Sequence, residues 1–357
     1  MKCLEGVFDA IHIPEFQEKA TKYVKELSRH VFMMEIRKTA SKEDFMRRNF
    51  PSPLLATYLD ALPHGIAREK VAETKIAQEL TGSLIHEIVC LSGLPEVMPT
   101  DIIPTFHHFA SRLSSLCLDT TWVKKNAGCT SIKLLATTSE IGAKWINERE
   151  VDLMRTLLHV LKDMPYDLPN DVDKVVDTLV TVLTVSGAEL AAAAESVHAR
   201  NKLLNLTGIL FAELSGSNPV VRRVAQQCVQ LLVKLSGKTA SELLLPHRER
   251  MLTAIYTKPL RALPFPIQIG MIEAVRYCLG LDPPLPELND ELLRLLHESL
   301  ALADAEDVAL MGRGNPRQSS IEIVKLRVAC IKLLTASMPL TDFFSKHPQT
   351  RQRYVGP

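Results

Sequence analysis

Long apolar stretches with helical spacing, separated by short breaks that contain proline, run through the whole of this 357-residue sequence. The clearest stretch repeats at i, i+3, i+4, i+7 and i+11, with Val172, Val175, Val176, Leu179 and Leu183. It predicts a helix over residues 171–186 that Asn170 caps and Gly187 ends. Helices joined by loops of a few residues pack antiparallel to their neighbours, so the sequence predicts a chain of helical hairpins.

Twelve further stretches show helical spacing, and none alternates in the manner of a half-buried strand. They cover residues 14–34, 52–62, 67–92, 99–118, 120–138, 148–163, 196–215, 219–236, 240–256, 259–280, 288–302 and 319–336. Prolines lie in most of the breaks or close to them, at Pro51, Pro53, Pro63, Pro95, Pro99, Pro165, Pro169, Pro219, Pro246, Pro283, Pro284 and Pro286. Glycine is scarce, at 15 residues, and aromatic residues make up 5 % of the chain, which disfavours a β-sandwich or barrel. The predicted fold class is therefore all-α.

Three segments look like copies of one unit, at residues 119–127, 218–225 and 323–329. Each has a basic residue two positions before an alanine, and the pairs are Lys125 and Ala127, Arg223 and Ala225, and Arg327 and Ala329. The pattern resembles the second helix of a HEAT repeat, in which the small residue allows close helix contact and the basic group bonds a carbonyl or an aspartate in the adjoining turn. At ~40 to 47 residues per repeat, residues 1–357 are predicted to form a single HEAT-like α-solenoid segment of about seven or eight helical pairs.

Charge is balanced over the chain but segregated near its C-terminal end. A net charge of +1 favours neither nucleic acid nor an anionic membrane as a partner. Residues 287–311 carry seven acids and one base, whereas residues 312–353 carry eight bases and two acids. Two interpretations stay open at this point. Either adjoining repeats neutralise each other, or the basic segment is a partner surface whose candidate residues are Arg313, Arg317, Arg351 and Arg353.

One fragment of a nucleotide-binding motif is present, Ser236-Gly237-Lys238-Thr239. A phosphate loop needs a leading glycine at position 232, which is Leu232 here, and a preceding strand. A helix that ends at Gly237, followed by a capping box from Thr239 to Glu242, explains the same residues. We therefore predict no nucleotide cofactor.

No other pattern predicts catalysis or a metal centre. His107 and His108 point about 100° apart on a helix, and no Cys, Asp or Glu lies one turn away in the sequence. Kinase, nucleophile-elbow and zinc-protease motifs are absent from the sequence. The seven cysteines form no C-x-x-C pair, which favours buried thiols in a reducing compartment. With neither a signal peptide nor an apolar run of ~18 residues, we expect a soluble intracellular protein that is not an enzyme.

Four stretches resemble one protein family, at residues 54–64, 155–163, 246–270 and 325–339. The most specific is 246–270, PHRERMLTAIYTKPLRALPFPIQIG, because of its unusual proline and aromatic placements. The likeness runs in order over nearly the whole chain. It is to the pseudokinases of the transformation/transcription domain-associated type, within the phosphatidylinositol-3-kinase-related family, and most nearly to their fungal form.

The resemblance implies a HEAT-type scaffold in the nucleus. It implies a non-catalytic piece of the activator-recruiting subunit that SAGA and the nucleosomal H4-type acetyltransferase complex share. The expected partners are coactivator subunits and transcription activators, without direct nucleic-acid, membrane or small-molecule binding. The family's FAT region and kinase-like domain do not occur in this chain, which is expected to be a fragment. The alternatives are a regulatory helical segment of an active kinase of the same superfamily, or a HEAT-repeat transport or phosphatase adaptor.

Apolar residues near both ends are expected to pack on neighbouring repeats, because terminal repeats of a solenoid normally carry a polar cap. These residues are Leu4, Val7, Phe8, Ile11, Leu333, Leu334, Met338, Leu340, Phe343 and Phe344. We therefore expect the isolated chain to associate through its ends.

Overall fold

The computed structural model describes residues 2–38, 52–68, 71–91, 93, 99–138, 140–164, 169–192, 196–257, 259–310 and 316–340. None of these residues forms a strand, and most are helical. The all-α prediction is confirmed. The described residues belong to two compact units, Met1–Glu189 and Leu190–Pro357. The interpretation of residues 1–357 as one solenoid segment of seven or eight pairs stays a prediction.

The first unit packs helices that are close neighbours in the chain. Its helices are α1 (Lys2–Ala10), α2 (Gln17–Lys38), α3 (Pro53–Ile66), α4 (Val71–Leu91), α5 (Pro99–Ser115), α6 (Trp122–Thr138), α7 (Glu140–Lys162) and most of α8 (Pro169–Ala192), with a 3-10 turn at Leu116–Leu118. Helix α1 contacts α3, α2 contacts α4, and α6 contacts α4, α5 and α7. Each helix thus contacts mainly its neighbours, which is the pattern of a helical-repeat protein.

Several elements in this unit differ from the sequence predictions. Helix α7 begins at Glu140 instead of residue 148, and α8 begins at Pro169, so Asn170 lies inside it and does not cap it. Helix α1 was not predicted, α3 continues through Pro63 to Ile66, and α8 continues through Gly187 to Ala192. A proline near a helix end removes few hydrogen bonds, and a helical glycine costs only about 1 kcal/mol relative to alanine. Buried side chains such as Leu183 and Ile66 outweigh these local penalties.

The N-terminal apolar residues are buried inside the first unit. Phe8 and Ile11 are almost fully buried, and the Phe8 ring lies 6.3 Å from the Tyr58 ring on α3. Phe8 also covers Gly65, where an added Cβ would lie 2.8 Å from the Phe8 side chain. The expectation that Phe8 and Ile11 face another repeat is wrong, because both are buried within the first unit, where α1 packs on α3.

The second unit contains shorter helices as well as long ones. They are α9 (Val197–Leu214), α10 (Pro219–Ser236), α11 (Ala240–Leu244), α12 (Arg248–Tyr256), α13 (Phe265–Leu279), α14 (Asp290–Asp304), α15 (Asp307–Leu310) and α16 (Pro316–Ser337), with 3-10 turns at Leu245–His247 and Leu260–Ala262. The two helices predicted at 240–256 and 259–280 are each divided. The divisions fall at Pro246 and just before Pro264, since proline cannot donate a helical hydrogen bond.

The small residue of each repeated segment is buried, as its pattern predicts. Ala127, Ala225 and Ala329 are 7 %, 0 % and 2 % exposed. In the first copy, Lys125 donates to Asp163 over 2.6 Å. In the third copy, Arg327 donates to the Ala305 carbonyl over 2.6 Å and pairs with Asp307. The predicted role of the basic residue is confirmed in both copies.

The second copy uses the neighbouring arginine. Arg222, not Arg223, donates to the carbonyls of Gly216 and Ser217 over 2.7 and 3.0 Å and to Glu273 over 3.0 Å. Arg222 is buried, whereas Arg223 is exposed. The assignment of Arg223 is therefore wrong by one position, because adjacent helical residues point about 100° apart and only Arg222 faces α13.

Enlarging Ala225 tests the close contact at α10. Ala225→Leu adds three heavy atoms at a fully buried position, so we expect the free energy of unfolding to fall by about 1 to 3 kcal/mol. Urea denaturation followed by circular dichroism measures the change. Ala212→Leu, at an exposed position of α9, is the matched control and is expected to stay within about 0.5 kcal/mol of the parent. Equal midpoints for Ala225→Leu and the parent would contradict the close contact.

Candidate interaction surface

The four arginines predicted as a partner surface fall largely outside the described residues. Arg313, Arg351 and Arg353 lie outside them, and Arg317 lies in the first turn of α16 without a described side chain. The basic partner surface therefore stays a prediction.

The acidic segment that precedes α16 makes bonds within the second unit. Glu287 pairs with Arg248 over 2.6 Å, and Glu298 accepts from the Leu260 amide over 3.0 Å. Asp307 pairs with Arg327 over 2.6 Å, which joins the acidic segment to the basic one. This pair supports the interpretation in which the two segments neutralise each other at their junction.

Helix α16 buries one face against α13 and α14. The buried residues are Ile323, Leu326, Ala329, Cys330, Leu333, Leu334 and Ser337. The expectation that Leu333 and Leu334 face another repeat is therefore wrong, because both lie on this inner face. Met338 is 42 % exposed and Leu340 is half-buried, so the expectation that these two residues face another repeat stays a prediction. Phe343 and Phe344 lie outside the described residues.

The opposite face of α16 carries a row of exposed apolar side chains. Ile321, Val324, Val328 and Ile331 are 60 %, 58 %, 43 % and 56 % exposed, and Met338 continues the row. We call these five residues the α16 stripe. The spacing of the first four residues, at three, four and three positions, places them on one side of the helix, and Met338 follows the end of the helix at Ser337. Sequence reasoning missed this face because α16 is apolar on both sides, so periodicity alone could not separate the inner row from the outer one.

Positive charge lies along one edge of the α16 stripe. Lys325 and Lys332 are exposed and stand one heptad apart beside Val328. On the other edge, Asp307 pairs with Arg327. Helix α16 contains a single acidic residue, Glu322, which lies about 120° around the helix from Val328. The exposed face is therefore apolar with a basic edge.

A groove in the first unit is lined by side chains of both charges. It has a volume of about 570 Å³ and lies between α2 and α4. Its walls include Glu18, Lys22, Lys25, Glu26 and Glu79. Both signs of charge alternate there, and Lys22 pairs with Glu26 at 3.9 Å. The groove favours neither an anionic nor a cationic ligand.

The candidate chemical motifs have structural roles. Gly237 ends α10 at φ 68°, the Thr239 hydroxyl accepts from the Glu242 amide over 3.1 Å, and Glu242 accepts from the Thr239 amide over 2.7 Å. The capping interpretation of this segment is confirmed. His107 lies 3.4 Å from Glu148 on α7, an acid that the sequence around His107 does not reveal. Within the described ranges, no group of three or more His, Cys, Asp or Glu side chains is placed to hold a metal ion.

Five of the seven cysteines are buried as predicted, and the exceptions are Cys3 and Cys90. Cys117 and Cys129 lie with their sulfur atoms 4.0 Å apart as free thiols. Over the part of the chain that the structure describes, no helix has the length and apolar character needed to span a membrane.

His247 is expected to make the stability of the folded chain depend on pH. Its Nε2 lies 3.0 Å from the Thr207 hydroxyl, and burial lowers its pKa below the ordinary value. As the pH falls below about 6.5, His247 is protonated more readily in the unfolded state than in the folded state, which lowers the free energy of unfolding. We expect the urea midpoint to fall between pH 7.5 and 5.5.

The fall should be smaller in His247→Gln, which lacks the titrating ring. His12, His107 and His108 also have pKa values lowered by burial, so part of the dependence should remain. An unchanged dependence in His247→Gln would contradict the assignment.

Comparison with known proteins identifies the family. A family model described as the Tra1 HEAT repeat ring region matches residues 1–356. The "SAGA complex/NuA4 acetyltransferase complex subunit Tra1" of Schizosaccharomyces pombe is 35 % identical over 256 residues, covering 71 % of this chain and 7 % of that protein. The subunit of the same description from Saccharomyces cerevisiae is 30 % identical over 357 residues, covering 96 % of this chain and 9 % of that protein.

A human relative extends the comparison beyond fungi. The human "Transformation/transcription domain-associated protein" is 28 % identical over 264 residues, covering 71 % of this chain and 7 % of that protein. This chain thus spans less than a tenth of the length of the curated relatives it matches. The match to the family model covers nearly every residue, so the chain belongs to the family of the Tra1 HEAT repeat ring region.

Proposed function

We propose that this chain is a non-catalytic protein-interaction scaffold within a nuclear subunit shared by SAGA-type and NuA4-type acetyltransferase complexes. Its partners are subunits of those complexes and transcription activators. The observation that carries the proposal is the match of residues 1–356 to the ring region of a family whose yeast members are named subunits of both complexes.

The structure supports a scaffold in two ways. In the first unit each helix contacts mainly helices one or two positions away in the chain, an arrangement typical of helical-repeat scaffolds. Its side-chain ion pairs, such as Lys125 with Asp163, join neighbouring helices to one another. The residues that resemble part of a phosphate loop have a structural role, since Gly237 ends α10 and Thr239 caps α11.

Affinity purification of the tagged full-length protein, followed by mass spectrometry, tests the proposal. We expect acetyltransferase complex subunits among the recovered proteins. Recovery of kinase substrates and kinase cofactors alone would favour the kinase-segment alternative, and recovery of a single transport or phosphatase partner would favour the adaptor alternative. Either result would contradict the proposal.

Two variants of the full-length protein determine whether this segment contributes to partner binding. Arg222→Ala removes the hydrogen bonds that the buried guanidinium of α10 makes. Arg223→Ala removes the exposed side chain of the adjacent arginine. If the segment binds partners, Arg222→Ala lowers the recovery of some subunits while Arg223→Ala does not. Equal recovery with both variants would place partner binding elsewhere in the full-length protein.

A further inference from the structure

Two free thiols face each other inside the first unit. Cys117 lies in the 3-10 turn Leu116–Leu118, and Cys129 lies on α6. Their sulfur atoms are 4.0 Å apart, and the two side chains are 0 % and 1 % exposed. Because a disulfide bond has an S–S distance of about 2 Å, the two sulfur atoms must approach by roughly 2 Å for a bond to form.

The backbone around the pair brings the turn and α6 into direct contact. A Cβ added at Gly128, the residue before Cys129, would lie 2.6 Å from the Cys117 amide nitrogen and 2.7 Å from the Cys117 sulfur. Such short distances mean that α6 already touches the turn at this residue. The approach of the sulfur atoms therefore depends on the side-chain torsions and on the position of a short turn, and α6 can stay where it is.

Access to the pair is through the turn. Ser115 and Leu118, which flank Leu116 and Cys117, are exposed. A 3-10 turn of three residues has few hydrogen bonds to break, so it opens more readily than a long helix. The hydrogen bond with Cys129 and burial raise the pKa of the Cys117 thiol, and the Lys125 ammonium opposes them. The closed pair is therefore protonated, and it reacts when the turn opens.

We propose that Cys117 and Cys129 are a redox-modification site at which hydrogen peroxide converts the two thiols into an intramolecular disulfide. One thiol, as its thiolate, attacks a peroxide oxygen, the O–O bond breaks, and the departing hydroxide leaves as water with the thiol proton. The second thiol attacks the resulting sulfenic acid, so that the S–S bond forms, the S–O bond breaks and a second water leaves. Each sulfur atom loses one electron, and the peroxide gains two.

The disulfide would join the turn that follows α5 to the middle of α6. Cross-linking two residues 12 positions apart restricts the unfolded chain and so stabilises the folded one. Helix α5 contacts α6, so the bond fixes this helical hairpin, and reduction by a thiol such as glutathione restores its freedom. The inference concerns the first unit alone and does not depend on the proposed function.

The test uses the 357-residue chain with Cys3→Ser and Cys90→Ser, which remove the two exposed thiols. The folded chain is treated with hydrogen peroxide, alkylated in denaturant, and digested with trypsin without reduction before mass spectrometry. Lys124 and Lys125 lie between the two cysteines, so the tryptic peptides 113–124 and 126–133 stay together only through a disulfide. We expect this linked pair, with a mass lower by two hydrogen atoms than the two peptides together, and its loss on treatment with dithiothreitol.

Other buried cysteines are the internal control. Cys228, Cys278 and Cys330 are buried in the second unit and should remain reduced, so that they are alkylated in denaturant. Cys117→Ser should abolish the linked pair, whereas Cys228→Ser should form it like the parent. Circular dichroism checks that both variants are folded.

Stability gives a second readout. The urea midpoint of the peroxide-treated chain should be higher than that of the untreated chain, and dithiothreitol should reverse the shift. Cys129→Ser should show no shift, because it cannot form the bond. An equal shift in Cys129→Ser would contradict the assignment.

Three results of the peptide analysis would overturn the proposal. They are the absence of the linked pair from the oxidised folded chain, its formation only after urea has unfolded the chain, and sulfinic acid at either cysteine in place of the disulfide. Oxidation of Cys228, Cys278 and Cys330 at the same rate would also contradict it, because the reaction would then reflect general exposure of buried thiols.

Discussion

Arg222→Ala is expected to lower the free energy of unfolding by about 3 kcal/mol. Arg222 is only 4 % exposed, and its guanidinium donates to the carbonyls of Gly216 and Ser217 and to Glu273. Alanine leaves those carbonyls and the carboxylate without their donor, and it removes the packing of the arginine stem. This loss lies at the lower end of the about 3 to 5 kcal/mol that breaking a buried ion pair costs, because Glu273 is partly exposed.

Urea denaturation of Arg222→Ala and Arg223→Ala, side by side, measures this effect. Arg223 is the adjacent residue, has the same side chain and is exposed, so its variant should stay within about 0.5 kcal/mol of the parent. Equal losses for the two variants would show that the position on the helix does not matter and that the contacts of Arg222 add nothing.

Gly270→Ala is expected to have a similarly large effect for a steric reason. A Cβ at position 270 would lie 2.4 Å from the Gly216 carbonyl oxygen and 2.6 Å from that of Ser215. Both atoms are backbone, so relief requires that α13 move away from the turn after α9. We expect the free energy of unfolding to fall by about 3 kcal/mol or more, which is at the upper end of the cost of overpacking. Urea denaturation measures the change.

Gly82→Ala is the control for Gly270→Ala. Gly82 also lies inside a helix, α4, but nothing lies within 4 Å of an added Cβ there. Alanine is the better helix former, so this variant should be more stable by up to about 1 kcal/mol. A Gly270→Ala variant as stable as the parent would contradict the close approach of α13 to the turn.

The two sites share the Gly216 carbonyl, which accepts from Arg222 and touches the Gly270 position. Residues with a shared partner do not contribute independently. The double variant of Arg222→Ala and Gly270→Ala should therefore lose less stability than the two single losses added together. Strict additivity would show that the turn holds its position without either contact.

The repeated basic and small residues are the part of the fold that the sequence predicted best. Alanines at 127, 225 and 329 are buried, and Lys125 and Arg327 bond the turns or acids expected of them. Arg222 and Arg223 could not be told apart, because both are arginines at adjacent positions and their exposure depends on where α13 lies. The contact of Gly270 with Gly216 was also beyond prediction, since it joins residues far apart in the chain.

The apolar ends show the same limit of sequence reasoning. Helix α16 has apolar residues on both faces, and Leu333 lies inward while Ile331 lies outward. Which face turns inward depends on α13 and α14, so the local pattern predicted the helix but not the exposed stripe. The four arginines predicted as a partner surface have no described side chains, so that prediction is not tested by the α16 stripe.

Acetyltransferase activity in material purified through the tagged full-length protein tests the central claim most directly. Purified material is incubated with nucleosomes and acetyl donor, and protein kinase activity is measured in parallel with Mg·ATP. A scaffold shared by acetyltransferase complexes predicts acetylation of histones that elutes together with the tagged protein. Protein kinase activity that elutes with the tagged protein, in the absence of acetyl transfer, would contradict the account.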